Sequence, residues 1–168
     1  MRIKPERHIA PFNGPLEIGL RTIVILNDAF PDAYSLQKLI FFDYLVVHSD
    51  DIDGGPTALH PKTPHRSGEL LVRRDTIQKG LYLFMRRNLV ERRFENTGIL
   101  YAATDYTNAF LDTLRSEYTH DLKERAAWLV GHLGSKTDAQ METFVDSNLD
   151  KWGAEFETES LQWSEALI

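Results

Sequence analysis

The sequence contains no cysteine. That excludes a disulfide framework, a thiolate metal site and a thiol nucleophile, and it accords with a reducing compartment. No run approaches the ~18 consecutive apolar residues that a membrane span requires. The opening MRIKPERHIAPFNGP lacks the apolar centre of a signal peptide. These absences lead us to expect a cytoplasmic protein without a membrane partner. Neither a GxSxG elbow nor a Walker glycine loop occurs, and there is no internal repeat or low-complexity segment. Within its 168 residues, 42% are apolar and 11% aromatic, enough to fill the core of one domain. The net charge of −6 argues against a protein that coats DNA but leaves room for a local basic face.

Residues 1–14 read as an N-terminal arm, with Pro5 and Pro11 among Arg2, Lys4, Arg7 and His8. It is either a tail or an arm that docks on a partner. Pro15 suits a first helical position, and Leu16, Leu20, Ile23, Val24 and Asn27 follow helical spacing until Pro31. A second helix starts after Ser35, a good N-cap. Its run LQKLIFFDYLVV is apolar on nearly every side, so it is expected to be buried. His48 to Gly68, with paired glycines, three prolines and clustered Asp and His, reads as a loop longer than ordinary connections.

The basic part of this acidic chain comes next. From Arg66 to Arg93 there are eight Lys/Arg against three Asp/Glu. Glu69–Asn88 reads as a third helix with Leu70, Ile77, Leu81 and Phe84 in one stripe. Arg66, Arg73 and Arg87 run along its flank, and Gly80 marks a close packing contact. Leu89–Glu95 and Ile99–Ala103 read as strands around an Asn96-Thr97-Gly98 turn. Thr104 is expected to cap a fourth helix carrying Phe110, Leu111 and Leu114, and helices over 118–133 and 137–152 follow. The fold expected is mostly α with a small β-hairpin. A winged helix-turn-helix core (15–116, with long loop 48–68) would precede a C-terminal helical extension and acidic tail (117–168). The latter span carries eleven acids against four bases.

A winged helix that reads DNA joins its second and third helices by a turn of about three to four residues. Here the joint is the long loop, expected to obstruct the major groove, and Leu71, Val72, Tyr82, Leu83 and Met85 make the third helix apolar around much of its surface. Arg86, Arg87, Arg92 and Arg93 suit backbone phosphates, or an acidic protein surface. They equally suit a structural role, the helix arginines complementing the helix dipole and the wing arginines pairing with Glu91 and Glu95 across the hairpin. In the loop, Ser49-Asp50-Asp51-Ile52-Asp53-Gly54 starts like an EF-hand but has His60 where a bidentate Glu is needed. His48, His60, His65, Asp53 and Glu69 match no metal-ligand spacing. No metal, cofactor or catalytic residue is expected. His65, Arg66 and Glu69 instead form a candidate ion-pair cluster tying the loop to the third helix.

The segments PFNGPLEIGLRTIVIL, GGPTALHPKTPHRSGELLVRRDTIQKGL, the hairpin and KWGAEFETESL resemble the middle components of bacterial ABC-three-component systems, most specifically at HPKTPHRSGELLVRR. More narrowly they resemble the small middle subunit of Lamassu-type anti-phage systems. The resemblance spans roughly residues 11–163. It implies a non-catalytic adaptor that bridges the heads of an SMC/Rad50-like coiled-coil ATPase subunit and holds an effector subunit such as a nuclease. DNA would be met through the assembled complex. Candidate contact residues are His60, His65, Arg66, Arg73, Arg74, Arg86, Arg87, Arg92 and Arg93, with Phe156, Leu161 and Trp163 of the acidic tail docking on another subunit. The alternatives are a winged-helix transcription regulator that binds DNA by itself and a small hydrolase using the Asp/His loop.

Overall fold

The computed structural model describes residues 14–61 and 66–152, and the side chains of all of these except 66–72 and 149–152. The arm before Gly14, His65 and the tail residues Phe156, Leu161 and Trp163 therefore lie outside the described residues, as do the side chains of Arg66 and Glu69 and the ion-pair cluster expected of them.

The element order is α1 (Pro15–Ala29), β1 (Tyr34–Ser35), α2 (Leu36–Val47), a 3-10 turn (Ser49–Asp51), α3 (Arg66–Met85), β2 (Val90–Glu95), β3 (Gly98–Ala103), α4 (Thr107–Asp112), α5 (Glu117–Leu133) and α6 (Asp138–Trp152). The chain is mostly helical with one small antiparallel sheet, ordered β1-β3-β2. The expected hairpin is present. Glu95 pairs with Gly98 across an Asn96-Thr97 turn, and Gly98 (φ 127°) supplies the conformation that a side chain resists. The third strand, β1, was not expected. Its two residues pair with Tyr101 and Leu100.

Helix α2 is the centre of the molecule. The Ser35 hydroxyl accepts the Lys38 N–H at 3.0 Å, as an N-cap should. Every residue from Leu39 to Val47 is buried, the outcome of an apolar surface all round. Side chains of α5 (Leu122, Ala126, Leu129, Leu133) and α6 (Met141, Val145) join the same apolar cluster as α1 and α2. Local signals start the outer helices. Ser116 accepts the Thr119 N–H at 3.1 Å. Thr137 and Gln140 form a reciprocal capping box, at 3.2 and 2.9 Å. Thr104 does not cap α4 as expected: its hydroxyl donates to the Asn88 carbonyl at 2.6 Å, and the Thr107 hydroxyl donates to that of Leu89 at 2.6 Å. The pair pins the start of α4 to the corner between α3 and β2.

That corner is a Schellman motif. Asn88 adopts φ 58°, while the Leu89 N–H donates to Phe84 and the Asn88 N–H to Met85, both at 3.0 Å. Two turns before that corner, α1 and α3 cross at paired glycines. A methyl added to Gly80 would lie 2.6 Å from the Pro15 carbonyl oxygen and 2.7 Å from Gly19 Cα. The close packing expected of Gly80 is present.

The long loop is shorter than expected, and its first part is tied to the fold. Helix α3 begins at Arg66. Ile52 and Ser49 are buried, and the Leu59 and His60 N–H groups donate to the Val47 carbonyl at 3.0 and 3.1 Å. Arg125 on α5 donates to the Thr57 carbonyl at 2.8 Å and to the Thr57 hydroxyl at 3.1 Å. The first half of the loop is thus held against α2 and α5. One of its acids serves the fold as well: Tyr44 donates to Asp51 at 2.7 Å.

Candidate functional site

Two features of the molecule go beyond apolar packing. The first lies inside. Asp43 is the one acid in the α2 sequence and is fully buried. A carboxylate there must be paired. Arg21, on the inner face of α1 and 1% exposed, donates to both its oxygens, Nε to Oδ1 at 2.8 Å and Nη2 to Oδ2 at 3.0 Å. Arg73, on the inner face of α3, donates to Oδ2 as well. Burial by itself would raise the Asp43 pKa; the two guanidinium groups outweigh it and hold the carboxyl below its ordinary value. Burial would likewise depress Arg21, but Asp43 first and Tyr118 second keep it raised.

Tyr118 at the start of α5 extends this network to the loop. It hydrogen-bonds to Arg21, and its hydroxyl shares a 2.8 Å hydrogen bond with His60 Nε2. The rings of His60 and Tyr118 stack at 5.9 Å. Burial, with Arg21 and His48 close by, lowers the His60 pKa to about 4, so the imidazole is neutral near pH 7. Four elements, α1, α2, α3 and α5, and the loop are thereby keyed to one carboxylate.

The second feature is on the surface. A groove of about 770 Å³ runs between the start of α1, the end of α3 and α4. Buried Phe84 and Leu89 and half-buried Leu20, Phe110 and Leu114 line it, with the exposed Leu16 and Leu83 at its sides. The Schellman turn supplies Leu89, and the rings of Phe84 and Phe110 meet at 6.2 Å. Leu16 is 62% and Leu83 41% exposed, high for leucines facing a common depression. Arg86 and Arg87 edge it on the α3 side and Glu17 on the α1 side.

The described candidate residues differ in setting. Arg73 is 5% exposed and turned inward, where it pairs with Asp43. His60 is half-buried and bonded to Tyr118. Arg74, Arg86, Arg87 and Arg92 are exposed. Arg86 lies over the Tyr82 ring at 5.9 Å and Arg92 over the Phe94 ring at 5.8 Å. Arg93 bonds Glu91 at 2.9 Å and the Pro31 carbonyl at 2.8 Å, so the pairing with Glu91 forms, along one strand and not across the hairpin. The outer face of α3 is also more polar than its sequence suggested. Arg74, Asp75, Gln78 and Lys79 are exposed there, with Tyr82 and Leu83 following, and Lys79 pairs with Asp75 at 2.7 Å. At the hairpin tip, Phe94 and Ile99 face each other in register and are 75% and 46% exposed.

Arg21, Asp43 and Tyr118 were missed from the sequence. A signal existed: an aspartate amid LIFFDYLVV and an arginine amid IGLRTIVIL are each a charge inside an apolar run. Among the described residues no group of three or more His, Asp or Glu is arranged to hold a metal ion. No described helix is long and apolar enough to cross a membrane.

A family model described as ABC-three component (ABC-3C) system Middle Component 2 matches residues 11–155. No curated protein and no solved structure matches the chain.

Proposed function

The chain belongs to the Middle Component 2 family of ABC-three-component systems, and from that premise we propose that it is a non-catalytic adaptor, joining an SMC/Rad50-like ATPase subunit to an effector subunit in an anti-phage complex. Membership of a multi-component system implies protein partners. The observation that carries the adaptor reading is the exposed apolar surface, the α1–α3–α4 groove with Leu16 and Leu83 on its sides and the Phe94–Ile99 tip of the hairpin. Apolar side chains gathered in a concave surface with a charged rim are characteristic of protein contact sites. The buried Asp43 network supplies the rigidity that such a scaffold needs. The Lamassu-type assignment rests on the sequence resemblance. The winged-helix assignment draws support from the order helix, short strand, helix, helix, hairpin.

Co-expression with the two other components of the system tests the reading. The adaptor elutes with both on gel filtration, and a chain that elutes alone as a stable monomer removes the basis of the proposal.

The exposed polar face of α3, with Arg74, Gln78 and Lys79, favours a second reading, a winged-helix regulator that binds duplex DNA by itself. This predicts binding by the isolated chain that weakens steeply as salt rises. Equal failure to shift specific and random duplexes at low salt excludes it.

A further inference from the structure

We propose that the groove between α1, α3 and α4 receives an acidic amphipathic helix from another component of the same system. The proposal rests on the adaptor reading and adds the surface and the chemistry of its partner.

The groove has two properties that the fold itself does not use. Its base is a continuation of the core, yet Leu16 on α1 and Leu83 on α3 line it with 62% and 41% of their surface in water. A single exposed leucine means nothing. Two that flank a concave strip of Leu20, Phe84, Leu89 and Phe110 make a contiguous apolar surface. Its sides are too open to enclose the 70–90% of surface that a small ligand buries, roughly, in a pocket. They suit a helix laid along the strip, with apolar anchors at i, i+3 or i+4 and i+7.

The charge around the strip selects the helix. Arg86 and Arg87 follow directly on the last turn of α3, both exposed, and neither has an acidic partner among the described residues. Their position complements the α3 dipole, which accounts for a positive end but not for its coincidence with an apolar depression. A helix seated on the strip would carry Asp or Glu toward this pair, and a basic helix would meet two like charges there. Glu17 on the opposite side favours a basic or neutral residue on the far edge of the same helix.

The test uses the full chain co-expressed with the two other components. A photo-crosslinking benzoylphenylalanine at position 83 is expected to capture one segment of another component, with apolar residues at helical spacing and more acids than bases. Leu83→Glu, which puts a charge into the apolar strip, is expected to weaken assembly roughly tenfold or more. Arg86→Glu with Arg87→Glu, at exposed positions that leave the core untouched, is expected to weaken it by about tenfold at low salt. Reversing the acids of the captured segment should then restore assembly. Thermal melts of each variant alone should show a folded chain within a few degrees of wild type, about the cost of losing the charges at the helix end. Crosslinks to residues 153–168 of the same chain or to a second copy, or a captured segment with excess basic charge, overturn the proposal. So does undiminished assembly of both variants, and in that case the adaptor reading stands. A wild-type chain that joins neither component overturns both.

Discussion

Asp43→Asn is the sharpest perturbation the structure offers. The substitution keeps the shape of the side chain and removes one charge. It leaves Arg21 and Arg73, 1% and 5% exposed, facing a neutral amide and each other. Breaking a buried pair by removing one partner costs about 3–5 kcal/mol, because the remaining charge has lost its compensation. Here two charges are left. Total stability of a domain is only about 5–15 kcal/mol. The loss should therefore be a large fraction of it, a fall in melting temperature of about 10 °C or more for a chain of this size. Urea unfolding gives the free energy directly, as a lower midpoint at unchanged slope. A second variant isolates the cause. Replacing the whole triad, Arg21→Met with Asp43→Leu and Arg73→Met, removes the charges together and should cost much less than Asp43→Asn alone. The pH profile gives a third handle. The folded-state pKa of Asp43 lies below its ordinary 3.8, so the native chain binds fewer protons than the unfolded one. Its contribution is full above the ordinary value and is lost as pH falls through the depressed one. Asp43→Asn should lack that part of the acid transition. An Asp43→Asn chain within ~1 kcal/mol of wild type, or a triad replacement costlier than the single change, would refute the claim that charge pairing holds these four helices in place.

Three further outcomes follow from the same structure. His60 titrates at about 4 in the folded chain against 6.5 unfolded, so the unfolded chain binds more protons between these values and stability falls as pH drops through that window; His60→Gln should flatten the slope there, measured by urea midpoints from pH 7 to 4. Gly80→Ala gains about 1 kcal/mol of helix propensity but drives a methyl into the α1 backbone, which cannot give way as a side chain can. Overpacking of about 1–3 kcal/mol should win, and a more stable variant would show that the helices separate freely. Lys38 donates to the Gly134 and Lys136 carbonyls at 2.6 and 2.7 Å and sits 4.0 Å from the Tyr34 ring centroid. Lys38→Met should cost about 1.5–3 kcal/mol and speed amide exchange at the α5–α6 joint, whereas unchanged exchange there would show that the joint holds by itself.

What the sequence made legible was local. Ser35 before an apolar run, the Asn96-Thr97-Gly98 turn and Pro15 at a helix start each carry their structural meaning within a few residues. The two-residue strand β1 carries no such signal, since it exists because Tyr101 and Leu100 lie beside it. The first half of the loop looked open because its partners, the Val47 carbonyl and Arg125, belong to other elements. The groove joins residues from positions 16 to 114 and has no pattern along the chain.

The arginines of α3 show where a sequence argument has more power than it first seems to have. Arg73 and Arg74 are adjacent, and composition treats them alike. Helical phase does not. Arg73, Ile77, Leu81 and Phe84 are spaced by four, four and three, and all four are buried. Arg74 is a hundred degrees round the helix and exposed. An arginine in phase with core residues implies a buried carboxylate in reach. Within the buried run of α2 there is one acid, Asp43, and Arg21 stands in phase with the buried Ile18 and Ile25 of α1. Phase therefore divides the basic segment into two chemistries. Arg73 belongs to the scaffold, and its loss should be read in stability. Arg74, Arg86, Arg87 and Arg92 belong to the surface, and their loss should cost at most about 1 kcal/mol of stability and be read chiefly in association. Separating those two readouts for Arg73→Met and for Arg86→Glu with Arg87→Glu decides whether the positive charge of this segment serves one purpose or two.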